Sequence, residues 1–139
     1  MQHIANKMDQ LVENLESLIE KAELWQLVFD ECPVPIAVIT SNSKFFLVNN
    51  SFCELTNFTK DEVIGENISI VIPQDKRKIH KTLEKKFMLN PTKRVIRHGE
   101  NNPFILTKER AAIEVTIDLS YITYNGGLYM TTYIRPIDL

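Results

Sequence analysis

Catalytic residue types are scarce in this sequence. Its three histidines, His3, His80 and His98, stand in no Ser/His/Asp arrangement and at no metal-ligand spacing, and there is no glycine-rich phosphate loop. An enzyme is therefore not expected. Two cysteines, Cys32 and Cys53, are too few and too unpatterned for a disulfide scaffold or a zinc site. No apolar run approaches the length of a membrane span, and the N-terminal "MQHIANKMDQ" is not a signal peptide. The expected setting is cytoplasmic, without a membrane partner. Charge is nearly balanced at a net −2, so nothing global recruits nucleic acid or an anionic lipid surface. What remains is an ordinary globular composition, 44% hydrophobic over 139 residues. That is one domain, with a core large enough to support a cavity.

Glycine and proline are also absent from the first thirty residues, and there the pattern is helical. Ile4, Met8, Leu11, Leu15, Leu18, Ala22, Trp25 and Phe29 are spaced 4, 3, 4, 3, 4, 3, 4, an unbroken heptad seam. Val12 and Ile19 widen the stripe. The spacing predicts a coiled-coil helix over residues 1–29, with Met8, Leu11, Leu15, Leu18, Ala22, Trp25 and Phe29 at a homodimer interface. The other reading is a single amphipathic helix folded back on its own domain.

"ECPVP" breaks this helix, since Pro33 and Pro35 lack amide donors and disfavour a preceding helical residue. The rest, residues 30–139, reads as a second unit. "IAVIT", "SNSK" and "FFLVNN" predict strand, turn and strand. "NSFCELTNF" predicts a short helix, with Asn50 or Ser51 as possible caps. "TKDE" is a capping box that opens another short helix ending at Gly65. "QDKRKIHKTLEKKFML" predicts a longer helix with Ile79, Leu83 and Phe87 on one face. "KRVIRH", "FILT", "AAIEVTIDLSYITY" and "LYMTTYIRPI" read as strands, the last two joined by the hairpin turn at Asn125-Gly126. The sum is an α+β domain with a single antiparallel sheet.

The stretch "FFLVNNSFCELTNFTKDEVIGENISIVIPQD" resembles the signature of Per-Arnt-Sim (PAS) sensor domains. The matching residues are Asn49, Phe52, Leu55, Thr56, Phe58, Glu62, Gly65, Pro73 and Asp75, and the similarity runs from about Leu27 to Ile137. Asn49 can cap the helix that begins as the strand ends, and Gly65 allows a turn with positive φ. Asn57 stands where the family usually has glycine, and it tolerates the left-handed region next best. The resemblance implies a five-stranded antiparallel sheet, with short helices and one longer helix on one face. Two departures stand out. The turn usually made by Lys-Asp-Gly reads "KER", Lys108 to Arg110, and is expected to be reshaped because Arg110 would be strained in the left-handed conformation. The usual C-terminal Asp-Ile-Thr link to an effector reads "RPID", after which the chain ends, so output is expected through the N-terminal helix.

The resemblance also frames the cofactor question, which the residues leave open. Light-oxygen-voltage domains need Gly-x-Asn-Cys-Arg-Phe where this chain has "GENISI". Gly65 and Asn67 match, but Ile68 takes the place of the reactive cysteine, so a covalent-adduct flavin is excluded. His80, seven residues after Pro73, corresponds to the proximal ligand of haem-binding PAS oxygen sensors. It forms an i, i+3, i+7 stripe with Leu83 and Phe87, so these three are the candidate residues for haem or another cavity ligand, with His80 the metal ligand only if that ligand is haem. Against haem, His80 is also compatible with an ordinary surface or satisfied position, and Glu100 falls near the place of the distal arginine.

Residues 76–97 hold nine Lys/Arg and one acid, Glu84. Without interleaved aromatics this is a solvated face, or a partner for the acids Asp9, Glu13, Glu16, Glu20 and Glu23, rather than a nucleic-acid surface. Cys32 and Cys53 are expected to be buried, inert thiols. Two functions fit. One is a homodimeric sensor whose cavity ligand changes the packing of the N-terminal helices and so signals to an effector protein. The other is a constitutive protein-interaction scaffold with its core filled by its own side chains.

Overall fold

A computed structural model describes residues 1–96 and 103–137 of the chain. His98, Glu100 and the end of "KRVIRH" lie outside the described residues.

Helix α1, Gln2–Asp30, runs unbroken for 29 residues, about 43 Å at about 1.5 Å per residue. It ends before Pro33 and Pro35, as the missing amide donors dictate. Every residue from 1 to 28 is exposed, so α1 stands clear of the domain that follows rather than folding back on it. Strands β1, Ile36–Thr40, and β2, Phe45–Val48, form the first hairpin. Three helices follow: α2, Asn50–Thr56; α3, Lys60–Val63; and α4, Arg77–Leu89. Two short 3-10 turns, Ile68–Val71 and Gln74–Lys76, lie between α3 and α4. Strands β3, Arg94–Ile96, β4, Phe104–Leu106, β5, Ala112–Tyr124, and β6, Gly127–Pro136, complete the sheet.

The sheet is antiparallel, in the order β2-β1-β6-β5-β3. β3 and β4 pair with successive parts of β5, Leu119 to Ile117 and Glu114 to Ala112, so six strands fill five positions. Alternation sends Ala37 and Ile39, Val115, and Met130 and Ile134 inward. There they meet Phe52, Val63, Ile68, Val71 and Phe87 from the helical side.

The punctuation residues act as their chemistry requires. Asn49, fully buried, caps α2: its Oδ1 accepts from the Phe52 amide at 3.1 Å, so the cap is Asn49 and not Asn50 or Ser51. The same Oδ1 accepts from the Ile36 amide at 2.9 Å, and Nδ2 donates to the Val34 carbonyl at 2.9 Å. Thr59 and Glu62 form both bonds of the capping box of α3. Asn57 and Gly65 adopt φ of 65° and 87°. Asn125 and Gly126, at 48° and 75°, make the β5–β6 hairpin turn.

One turn differs from expectation. Arg110 keeps the left-handed conformation, φ 71°, and the "KER" turn is not reshaped. Bonds to and around the turn outweigh its strain. Thr107 exchanges backbone bonds with Ala111 and Arg110 at 2.8 and 2.9 Å, and its hydroxyl accepts from the Ala111 amide at 3.1 Å. The Lys108 amide donates to the Thr56 carbonyl at 2.9 Å, the Lys108 ammonium meets Glu62 at 2.5 Å, and Asn57 donates to Glu109 at 3.1 Å.

Candidate functional site

α4 forms where "RKIHKTLEKKFML" contains no helix breaker, and it stops at Asn90, ahead of Pro91. Two adjacent stripes at four-residue spacing run down its inner side. Ile79, Leu83 and Phe87 form the apolar one; Lys76, at the preceding turn, His80 and Glu84 form the polar one. All six residues line a cavity of about 390 Å³. Across from them are Ala37, Ile39, Ile117, Leu119, Met130 and Ile134 of the sheet, and Phe52, Ile68 and Val71 close the helical side. The volume falls in the roughly 300–1,000 Å³ range of small-molecule pockets.

The polar groups of this cavity are few. Thr132 is satisfied, its hydroxyl donating to the Ala37 carbonyl at 3.0 Å. Burial holds the His80 imidazole below its usual pKa, against an opposing pull from Glu84, so it is neutral at pH 7. Glu84 Oε1 accepts from the Ser43 hydroxyl in the β1–β2 turn, while Oε2 is buried with no hydrogen-bond partner among the described residues. A second, more polar cavity of about 270 Å³ adjoins the first, lined by Ser43, Asn67, Ser69, Arg77 and Lys81. Ile68, Ile72 and His80 line both, so the imidazole sits in the wall between them.

His80, Leu83 and Phe87, the residues marked in the sequence, thus lie together on one cavity wall. Glu84 and Ser43 were not marked. The available signal was the spacing: Glu84 is four residues after His80, hence on the same helical face. Ile68 is buried and lines the cavity. Cys32 and Cys53 are half-buried free thiols, and burial raises the Cys53 pKa, which keeps it protonated.

The seam of α1 is left in water. Ile4, Met8, Leu11, Leu15, Leu18, Ala22 and Trp25 are exposed, Trp25 by 71%, and only Phe29 is half-buried. Leu24, Leu27 and Val28 are exposed as well, so the last turns are apolar on nearly every side. Among the described residues no ion pair joins the acids of α1 to the basic face of α4. None of the described helices is long and apolar enough to cross a membrane.

A short-helix wall over an antiparallel sheet, with a cavity between sheet and α4, is a recognisable architecture. The sequence profile of the PAS fold matches residues 23–128. The chain belongs to the PAS family. PAS domains are sensory modules, and solved members share this fold. The PAS domain of an HTR-like protein from Haloarcula marismortui is similar at 16% identity and a TM-score of 0.75, over 90% of this chain and 98% of that one. A PAS domain from a two-component sensor histidine kinase follows at 11% identity and 0.67, over 84% and 96%. The light-oxygen-voltage protein of Rhodobacter sphaeroides is 12% identical with a TM-score of 0.67, over 85% of this chain and 68% of that one. No curated protein matches the sequence.

Proposed function

We propose that this PAS chain is a homodimeric, cytoplasmic sensory module, not an enzyme, that binds a small molecule in its main cavity. A change in occupancy is transmitted through α1 to an effector protein. The observation that carries the sensory reading is the cavity itself, about 390 Å³ with a mostly apolar wall and a few polar groups gathered on α4. A constitutive scaffold would have its core filled by its own side chains, so the cavity favours the sensor. Dimerisation is supported by α1, whose continuous apolar stripe is exposed and has no partner among the described residues. A ligand shifts helix packing only as far as it binds one arrangement better than the other.

Native mass spectrometry of purified protein, with an absorbance spectrum, tests this. The expected result is a dimer carrying a non-covalent small molecule, or acquiring one from a metabolite mixture. A bare dimer that takes up nothing would refute the sensor and leave the scaffold; a monomer would refute the dimer.

A further inference from the structure

Among the described residues, the polar side chains lining the main cavity are Lys76, His80 and Glu84 on α4, with Thr132 on the sheet. Of these, Lys76 is exposed, so its ammonium is hydrated at the rim. His80 is half-buried and neutral, and the Thr132 hydroxyl donates to the Ala37 carbonyl. Glu84 is the exception. One oxygen is held by Ser43 and the other is buried without a donor from any described residue. An acceptor stripped of water and left unpaired carries its full desolvation cost, so a donor supplied by a ligand recovers more there than at a solvated site.

We propose that the cavity is built for an amphiphilic amine. Its apolar body lies against Ile39, Leu119, Met130 and Phe87, and its amino head donates to Glu84 Oε2. The proposal rests on the sensory reading, which it narrows to a ligand class. An anionic head would meet the Glu84 carboxyl inside the same cavity, where Lys76, the only other charged lining side chain among the described residues, remains in solvent. A wholly apolar ligand would leave Oε2 as it is.

The test compares three probes with one body and different heads, phenethylamine, phenethyl alcohol and hydrocinnamate, titrated into the full chain by calorimetry. Phenethylamine should bind about tenfold or more tighter than the other two, as expected when a charge-assisted bond replaces a neutral one. Glu84→Gln should abolish that preference while keeping the far-ultraviolet circular dichroism of the wild type. Leu83→Trp, which fills the cavity, should weaken all three. The comparison of heads on the wild type needs no variant to fold. Equal or tighter binding of the alcohol or the acid overturns the amine assignment and leaves the sensor standing. An amine preference that survives Glu84→Gln also overturns it. If no probe binds saturably and the purified protein carries no small molecule, the amine assignment and the sensory reading fail together.

Discussion

Asn49→Ala should destabilise this domain more than any other single truncation of a polar side chain described here. The Asn49 side chain makes three bonds, accepting from the amides of Phe52 and Ile36 and donating to the Val34 carbonyl. It is fully buried, so water cannot replace them. At about 1 kcal/mol net for each bond, loss of all three costs about 3 kcal/mol, of which the helix cap alone accounts for about 1. That is a large share of a total stability on the order of 5–15 kcal/mol. The three bonds also tie together the exit from α1 at Val34, the start of β1 and the start of α2. Urea unfolding followed by circular dichroism, at one fixed protein concentration so that association is constant, gives the free energy directly. Asn49→Ser provides the internal control: its hydroxyl can still cap Phe52 but cannot replace the amide's donation and second acceptance. It should recover about 1 kcal/mol of the loss. An alanine variant within about 0.5 kcal/mol of wild type, or a serine variant equal to wild type, would refute the assignment of Asn49 as a three-way tie.

Leu15→Lys places two ammonium groups across an apolar seam at a cost of several kcal/mol each, on the order of 3–5. It should sediment as a folded monomer, and a wild type that is itself monomeric at tens of micromolar would defeat the prediction. Hemin titration should give no stoichiometric, His80-dependent Soret band, because His80 sits in the wall of a second, polar cavity and has Glu84 one turn away; a sharp band lost in His80→Ala would reverse this. Arg110→Gly should stabilise the domain by about 0.5–1 kcal/mol, the left-handed penalty of about 1–2 less the added chain entropy of glycine; a less stable variant would show that the arginine side chain contributes more than its backbone costs. The Glu62 carboxyl is held below its ordinary value of 4.5, chiefly by its bond with Lys108, so its contribution is present above the ordinary glutamate range and lost as pH falls through the folded value. Wild type should therefore exceed Glu62→Gln in stability at pH 7 and converge with it in acid; a difference independent of pH would assign the effect to the capping box instead.

The features legible in the sequence are those whose cause is local. Asn57, Gly65 and Asn125-Gly126 mark turns because few other residues tolerate positive φ, and each adopts it. Thr59-x-x-Glu62 is legible because both partners of the capping box lie within four residues. Arg110 misleads for the complementary reason. Its steric penalty is local, but Thr56, Asn57 and Glu62, which hold the turn in place, come from helices about fifty residues earlier. Glu84 is the same case at the site. In sequence it is one acid among nine basic residues. Its role needs Ser43, 41 residues away, and a packing of α4 that turns His80 and Glu84 toward the sheet.

The heptad seam shows where local pattern stops and packing decides. An apolar stripe has the same spacing whether it covers its own sheet or a second copy. Here the inner face of the sheet is already occupied by α2, α4 and the 3-10 turns, and α1 touches neither face with residues 1–28. Its links to the domain are confined to the end: Asp30 with Lys60 at 2.6 Å, Glu31 with Asn50 at 3.2 Å, and the Cys32 carbonyl with Ser51 at 2.5 Å. A helix held at its base, with seven exposed apolar seam residues above, buries none of those seven against the described residues. Fully burying a single leucine is worth about 1.5–3 kcal/mol, so several such residues can exceed the entropy lost on association. The same base links contact α2 and α3, and Phe52 of α2 forms part of the cavity wall, so the foot of the seam and the cavity share a packed element.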